Sequence, residues 1–447
     1  MRKTLLIMLC LLCIANYTNA QNAIDKYLTG TNNFKVIGGA SDGLLNPQDL
    51  DFIPGTNTWW VLNYEGNTGS VSIFFDANKS TQSSEFRRDS HAGHFMIRAS
   101  AMAIGDNGNF ATVHEIQNTN SQSPTFMGPA LWSTDTSIFA RLEQSNWDPS
   151  TLLGSHLDML HQSPFAMGIA HDNANVYWVF DGYSGNICKY DFKTPHVVGG
   201  DYHADGEIYR YSDVSVKRKV GVPSHMVLDK QNDWLYIVDG GNNRIIRMKT
   251  TSGNDAGGLS PDPGAMEPLA KYRKMTGATV EVLVSSGLTS PCGIDYKDNR
   301  IVVTDNATGE IIIYDVSSAP ATEVGRIQSD AGIMGVRIDW DNGIWLVNRN
   351  KRQLLKIENS NVPTSIRSIA SENKLIVYPV PAQDVLNVEW SGNSALVRIA
   401  DMTGKIMYQN EMVGNKLTIN SSILPTGIYT LILQSDKDVF TRKVIIE

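Results

Sequence analysis

The feature that most constrains this chain is a degenerate repeat of some twenty-five to thirty residues, present in six copies. Each copy reads as a first strand, a turn, a strand rich in aromatic and β-branched residues, a polar turn and a further strand. The clearest is "VPSHMVLDKQNDWLYIVDGGNNRIIRMKT", Val222 to Thr250. Others start at Ser290, Met334, Ser163 and Asn46, and the least regular runs from Arg98 to Asn118. Period-two alternation bounded by Gly, Asn and Asp marks short antiparallel strands. A small sheet of this kind cannot bury both of its faces alone, whereas radial stacking buries them and leaves only short edges. The expected fold is therefore all-β, a propeller of six blades. "NFKVIGG", Asn33 to Gly39, is the candidate to complete the last blade from the other end of the chain.

The repeat lies between two segments of different character. Arg2 and Lys3, an apolar run from Leu5 to Ala15 and the small residues before Gln21 make residues 1–20 a signal peptide. A lipoprotein reading through Cys13 meets Leu12, a large residue where a small one is expected. The run is too short to anchor the chain, since a transmembrane helix needs about 20 apolar residues, and no other stretch qualifies as a transmembrane segment. Removing the signal takes Cys10 and Cys13 away and leaves Cys188 and Cys292, too few for a disulfide framework. The formal charge of −8 becomes about −10 once the two cations Arg2 and Lys3 leave. That balance excludes an electrostatic footprint for nucleic acid.

Downstream, the repeat stops near Ile357, and the Ser- and Pro-containing residues 361–373 read as a linker. Residues 374–447 alternate again without the repeat, as a small β-sandwich would.

The copies resemble NHL repeats, most plainly at "YIVDGGNNRIIRM", Tyr236 to Met248. NHL repeats build six-bladed propellers, so the resemblance implies an NHL-like six-bladed β-propeller over residues 30–360. The tail resembles the type A C-terminal sorting domain of the type IX secretion system of Bacteroidetes. It does so through "YPVPAQDVLNV" (Tyr378 to Val388), "DMTGK" (Asp401 to Lys405), "LPTGIYTL" (Leu424 to Leu431) and the terminal "RKVIIE". Val380 stands where that family has Asn. The resemblance implies engagement of the type IX machinery, export across the outer membrane, and a cell-surface or extracellular location.

Function then rests on the propeller, whose loops are held by rigid blades. Asn118 to Gln162 is far longer than a hairpin loop, and insertions of that size tend to be functional. All 9 histidines lie between His91 and His225. His156, Asp158 and His161 share one short segment, His203 and Asp205 another, and His225 opens a strand. Imidazoles with acidic neighbours suit a divalent ion such as zinc. His114 and His171 are candidate ligand-binding members, and Asp49, with Asp51, opens the first copy where carboxylates could hold calcium. Each histidine has an ordinary alternative, capping backbone groups at a strand end. Asp181, Asp239 and Asp305, which recur after the aromatic strands, are expected to close turns.

Among NHL-like propellers, peptidylglycine amidating lyase carries histidines around a metal in its channel. His225 in "VPSHMVLD" resembles one of them, although Ser224 occupies a position where that family has His. Two readings follow. One is an exported binding module for a glycan, peptide or protein; the other is a metal-dependent lyase or hydrolase with a histidine-lined site at the propeller mouth.

Overall fold

A computed structural model describes residues 22–119, 125–141, 153–264, 267–360, 375–392, 394–401, 405–435 and 439–447. The signal segment and the linker lie outside these residues. The chain divides into two units, Met1–Asn361 and Val362–Glu447.

The first unit contains six antiparallel blades whose innermost strands are Pro47–Phe52, Ala99–Ile104, Gly168–His171, Met226–Asp229, Pro291–Lys297 and Ile333–Ile338. Each of these strands touches the next, and the sixth touches the first, so the ring is closed. Asn32–Gly38 pairs with Gln353–Asn359 as the outermost strand of blade 6, joining the two ends of the ring in one sheet.

Second strands such as Trp59–Tyr64, Val176–Asp181 and Arg300–Asp305 are buried almost throughout. Both faces of a middle strand pack against neighbouring blades, which is why these strands are nearly continuous apolar runs. Each of the six blade junctions has its own apolar cluster. At the junction that closes the ring, Trp59 stacks on Trp345 with centroids 4.2 Å apart. Near the axis the strands approach closely. A Cβ on Gly168 would stand 1.9 Å from the Ser224 carbonyl oxygen, and one on Gly293 would stand 2.3 Å from that of Met334.

Two departures from the sequence expectation bear on function. The segment expected as a long loop between the second and third copies contains the two outer strands of blade 2, Ala130–Ser133 and His156–Met159. In blade 4, the chain leaves after Arg244–Lys249 and forms the hairpin Asn254–Gly258/Lys271–Thr276. The second strand of that hairpin pairs in parallel with Glu207–Tyr211, giving blade 3 six strands. Cys188 and Cys292 are free and buried, and burial pushes both thiols up to about 12.

The second unit has a three-stranded sheet (Leu375–Tyr378, Val385–Trp390, Lys416–Asn420) and a four-stranded sheet (Ser394–Ala400, Ile406–Val413, Gly427–Gln434, Val439–Ile446). Their inward residues, among them Leu386, Val388, Val397, Ile399, Leu431 and Val444, share one apolar cluster. It is the β-sandwich expected from the alternation.

Candidate functional site

Three carboxylates on innermost strands tie neighbouring blades together around the channel. Asp49 accepts from the Met102 amide at 3.0 Å, Asp51 from Ile104 at 2.8 Å and Asp295 from Ile338 at 2.6 Å. Between them stands the buried Arg337, whose Nε lies 3.4 Å from Asp51 and whose Nη1 reaches the carbonyls of Ile294 and Val336. Burial opposes its charge, but Asp51, Asp49 and Asp295 hold the guanidinium above its usual range. His225 lies deeper in the channel, with Nε2 3.2 Å from the Ser100 carbonyl and Nδ1 3.5 Å from Asp49.

Burial also pushes Asp295 up from 3.8 to about 6, against the attraction of Arg337. An acid whose pKa is raised on folding weighs against the native state only where it ionises. Its cost is absent below about pH 4, grows towards pH 6 and is complete above that, worth about 3 kcal/mol. Asn at this position keeps an acceptor for Ile338. The unfolding free energy of Asp295→Asn relative to wild type should therefore rise between pH 4 and 6, as urea titrations at several pH values would show. A difference that does not change with pH would contradict this assignment.

The six inner strands end at one channel mouth, a cavity of about 260 Å³. Asp51, Asp295, Arg337, His171, Lys230 and Tyr296 line it. His171 Nδ1 accepts from Lys230 Nζ at 2.9 Å and its Nε2 donates to the Ala174 carbonyl at 3.0 Å, so both ring nitrogens are engaged. Beside the mouth, Phe52 packs edge-on against Trp340, which is 46% exposed.

A second constellation lies on the flank of the ring. His156 stands on the outermost strand of blade 2, and His196 and His203 on the connection between Asn186–Asp191 and Glu207–Tyr211 of blade 3. One ring nitrogen from each lies within 4.8 Å of the others. His156 Nδ1 donates to the Leu153 carbonyl at 2.8 Å and His196 Nδ1 to that of Val197 at 2.6 Å. His203 Nδ1 donates to Asp158 at 2.8 Å, and the same carboxylate oxygen accepts the Met159 amide at 2.7 Å. The carbonyl acceptors assign the Nδ1–H tautomer to His156 and His196, and at His203 the 2.8 Å bond to Asp158 outweighs the longer 3.2 Å approach of the Met159 amide to the same nitrogen, so Nε2 is the free donor atom of each ring. The Nε2 atoms of His156 and His196 are buried without a hydrogen-bond partner among the described residues. Burial, reinforced by neighbouring imidazoles, holds His156 well below the usual histidine range, and burial also lowers His196. Phe95 stacks on the His156 ring at 3.6 Å and fixes its plane.

His161 stands next to this trio but in a separate pair. Glu267 receives its Nδ1–H at 2.8 Å, and its Nε2 lies 3.3 Å from His94 Nε2. One proton between the two Nε2 atoms satisfies that contact.

The structure thus brings His156, His203 and Asp158 together, with His161 adjacent. Asp205 accepts the Thr194 amide at 3.4 Å, and its charge adds to the burial that raises the Asp158 carboxyl. His225 and Asp49 meet in the channel, away from the trio, and His171 lies at the mouth. His114 is buried, with Nδ1 on the Gly128 carbonyl and Nε2 on Thr112 Oγ1, and burial lowers it to about 3. The convergent imidazoles therefore occupy the blade flank, not the mouth expected from the sequence, because the segment carrying His156 is an outer strand. His196, His94 and Glu267 escaped the sequence reading. The one available signal was that His196 precedes His203 by seven residues in the same inter-strand segment. Two of the recurrent aspartates close turns through backbone amides: Asp181 accepts those of Tyr183 and Ser184, and Asp305 those of Ala307 and Thr308. Asp239 instead accepts the Lys217 amide at 2.7 Å and the side chains of Asn242 and Arg244.

A comparison of the sequence with curated proteins finds no match. Among solved structures, the chain is similar to an auxiliary nutrient binding protein from Bacteroides thetaiotaomicron at 11% identity and TM-score 0.46, covering 74% of this chain and 77% of that one. PorZ, a surface component of the type IX secretion system of Porphyromonas gingivalis, is similar at 13% identity and TM-score 0.38, covering 90% and 59%. Virginiamycin B lyase from Staphylococcus aureus is similar at 12% identity and TM-score 0.40, covering 93% and 100%. Residues 376–447, the β-sandwich unit, match the secretion system C-terminal sorting domain. That match carries the firmest functional statement: the propeller is cargo of the type IX system, sent across the outer membrane to the cell surface or the extracellular space.

Proposed function

We propose that the exported propeller is a binding module that takes a carbohydrate-class ligand at the channel mouth lined by Arg337 and Lys230 and flanked by Trp340, which packs on the lining residue Phe52. The observation that supports this is the composition of the mouth. All six blades contribute to a cavity of about 260 Å³ in which fixed charges of both signs stand beside aromatic faces. Hydroxyl-rich ligands need such donors and acceptors in fixed positions, and an exposed indole offers a face for a sugar ring. Inter-blade bonds already engage the carboxylates of Asp51 and Asp295, so the exposed side chains of Lys230 and Trp340 are the accessible contacts. The lyase or hydrolase reading finds less support here, since the mouth lining contributes one imidazole, His171, with both nitrogens bonded.

Affinity electrophoresis of the mature chain through gels containing neutral or uronate-bearing polysaccharides tests the proposal. Retardation by at least one polysaccharide is expected, reduced about tenfold in apparent affinity by Trp340→Ala, the cost of losing an aromatic contact. Both Trp340 and Lys230 are surface side chains, so Trp340→Ala and Lys230→Ala should fold. No retardation by any gel, or retardation indifferent to both substitutions, would overturn the reading.

A further inference from the structure

We propose that His156, His196 and His203 hold one zinc-class divalent ion that clamps the outer strand of blade 2 to the blade 3 connection. The inference is independent of the channel mouth, which lies elsewhere on the ring.

The donor set comes first. Three imidazoles with Nδ1 already committed converge as nitrogen donors, the ligand type borderline divalent ions favour. Calcium would require six to eight oxygens, and this cluster does not offer them. The Asp158–His203 bond is the second feature. A metal-bound imidazole ordinarily gives its other N–H to a carboxylate or carbonyl, and all three rings here do so. Third, the two unpartnered Nε2 atoms have no other explanation among the described residues. A buried acceptor without a partner is costly, and one ion satisfies both.

The geometry needs only a small adjustment. Nitrogens at about 2.0–2.1 Å from a tetrahedral ion lie about 3.4 Å apart, against the present limit of 4.8 Å. His196 is the ring best able to close that gap, being only half-buried and on a connection. An Asp201 carboxylate oxygen lies 3.6 Å from His203 Nε2 on a side chain that is 81% exposed, which makes it the nearest group for the fourth position. The ion would add a clamp across the junction between blades 2 and 3, where the His196 amide already donates to the Leu157 carbonyl at 3.1 Å and the Gly199 amide to that of His156 at 2.8 Å.

Titration of the mature, chelator-treated chain with Co(II), followed by displacement with Zn(II), tests the site. One Co(II) per chain is expected, with the intense visible absorption of a four-coordinate ion, and a rise in thermal midpoint on adding zinc. His196→Ala should abolish both signals while leaving the circular dichroism unchanged. Asp158→Asn should weaken zinc binding 10–100-fold, about the effect of losing an orienting carboxylate. Absence of saturable Co(II) or Zn(II) binding, or binding that survives His196→Ala unchanged, would overturn the proposal.

Discussion

A chain ended after Asn361 is expected to fold and to remain in the periplasm, with all but a trace lost from the surface and medium. The fold half of this expectation follows from the closed ring. Asn32–Gly38 completes blade 6 from within the first unit, and every blade junction has an apolar cluster made of first-unit residues. Among the described residues, none of those removed supplies a propeller strand. The export half follows from the address, which lies in residues 376–447. That unit encloses its own core, so removing it takes away a complete domain and not part of a shared one. Fractionation of cells expressing the truncated and complete chains, with thermal melts of the purified proteins, gives both readouts. Truncated protein appearing outside the cell at the level of the complete chain would show that the tail is not the address. A collapsed melting transition would show instead that the propeller depends on it.

The blades were legible because a period of two and Gly/Asn/Asp turns report strands directly. The ring was legible because six such units have one economical way to bury both faces. Blade 2 resisted for a physical reason. Its outer strands, Ala130–Ser133 and His156–Met159, have four residues each and are separated by more than twenty, too little pattern to register as alternation. The hairpin Asn254–Gly258/Lys271–Thr276 resisted for another. Its strands are polar and largely exposed, and its parallel partner on blade 3 lies some sixty residues upstream. At the histidine site, residue type pointed to the chemistry while position failed. His156 and His203 were singled out together, but nothing in the local sequence says that an outer strand of one blade faces a connection of the next. His225 misled because it opens an innermost strand, where its neighbour is Asp49 of blade 1 and not another imidazole.

The same hairpin creates the second large expected effect, on Arg210. This residue lies on Glu207–Tyr211, which would be the exposed edge of blade 3 had Lys271–Thr276 not paired alongside it. Covered in this way, its guanidinium donates from Nη1 to Asp181 and, at 2.8 Å, to Asn186, and from Nε at 2.6 Å to the Tyr272 hydroxyl on the covering strand. Asp181 is fully buried, and its other oxygen accepts the turn amides of Tyr183 and Ser184. Arg210→Met leaves that carboxylate without its cation and the Tyr272 hydroxyl without its donor. Breaking a buried pair from one side costs about 3–5 kcal/mol, and denaturant titration of the mature chain should show a loss of that size. The double variant Arg210→Met/Asp181→Asn should recover most of it. Asn retains the acceptor for the two turn amides and removes the stranded charge, so the two substitutions are strongly non-additive. Arg210→Lys should recover little, because one ammonium cannot span Asp181 and Tyr272 as the planar guanidinium does. A loss below about 1 kcal/mol for Arg210→Met would mean that water reaches Asp181 when the arginine is removed. The hairpin would then be a loose cover, and proteolysis within residues 254–276 would increase no further in the variant. If the pair is as closed as the geometry indicates, cleavage there should increase in Arg210→Met, because the Tyr272–Arg210 bond reinforces the backbone ladder and the Lys271–Glu207 ion pair that hold the covering strand alongside blade 3.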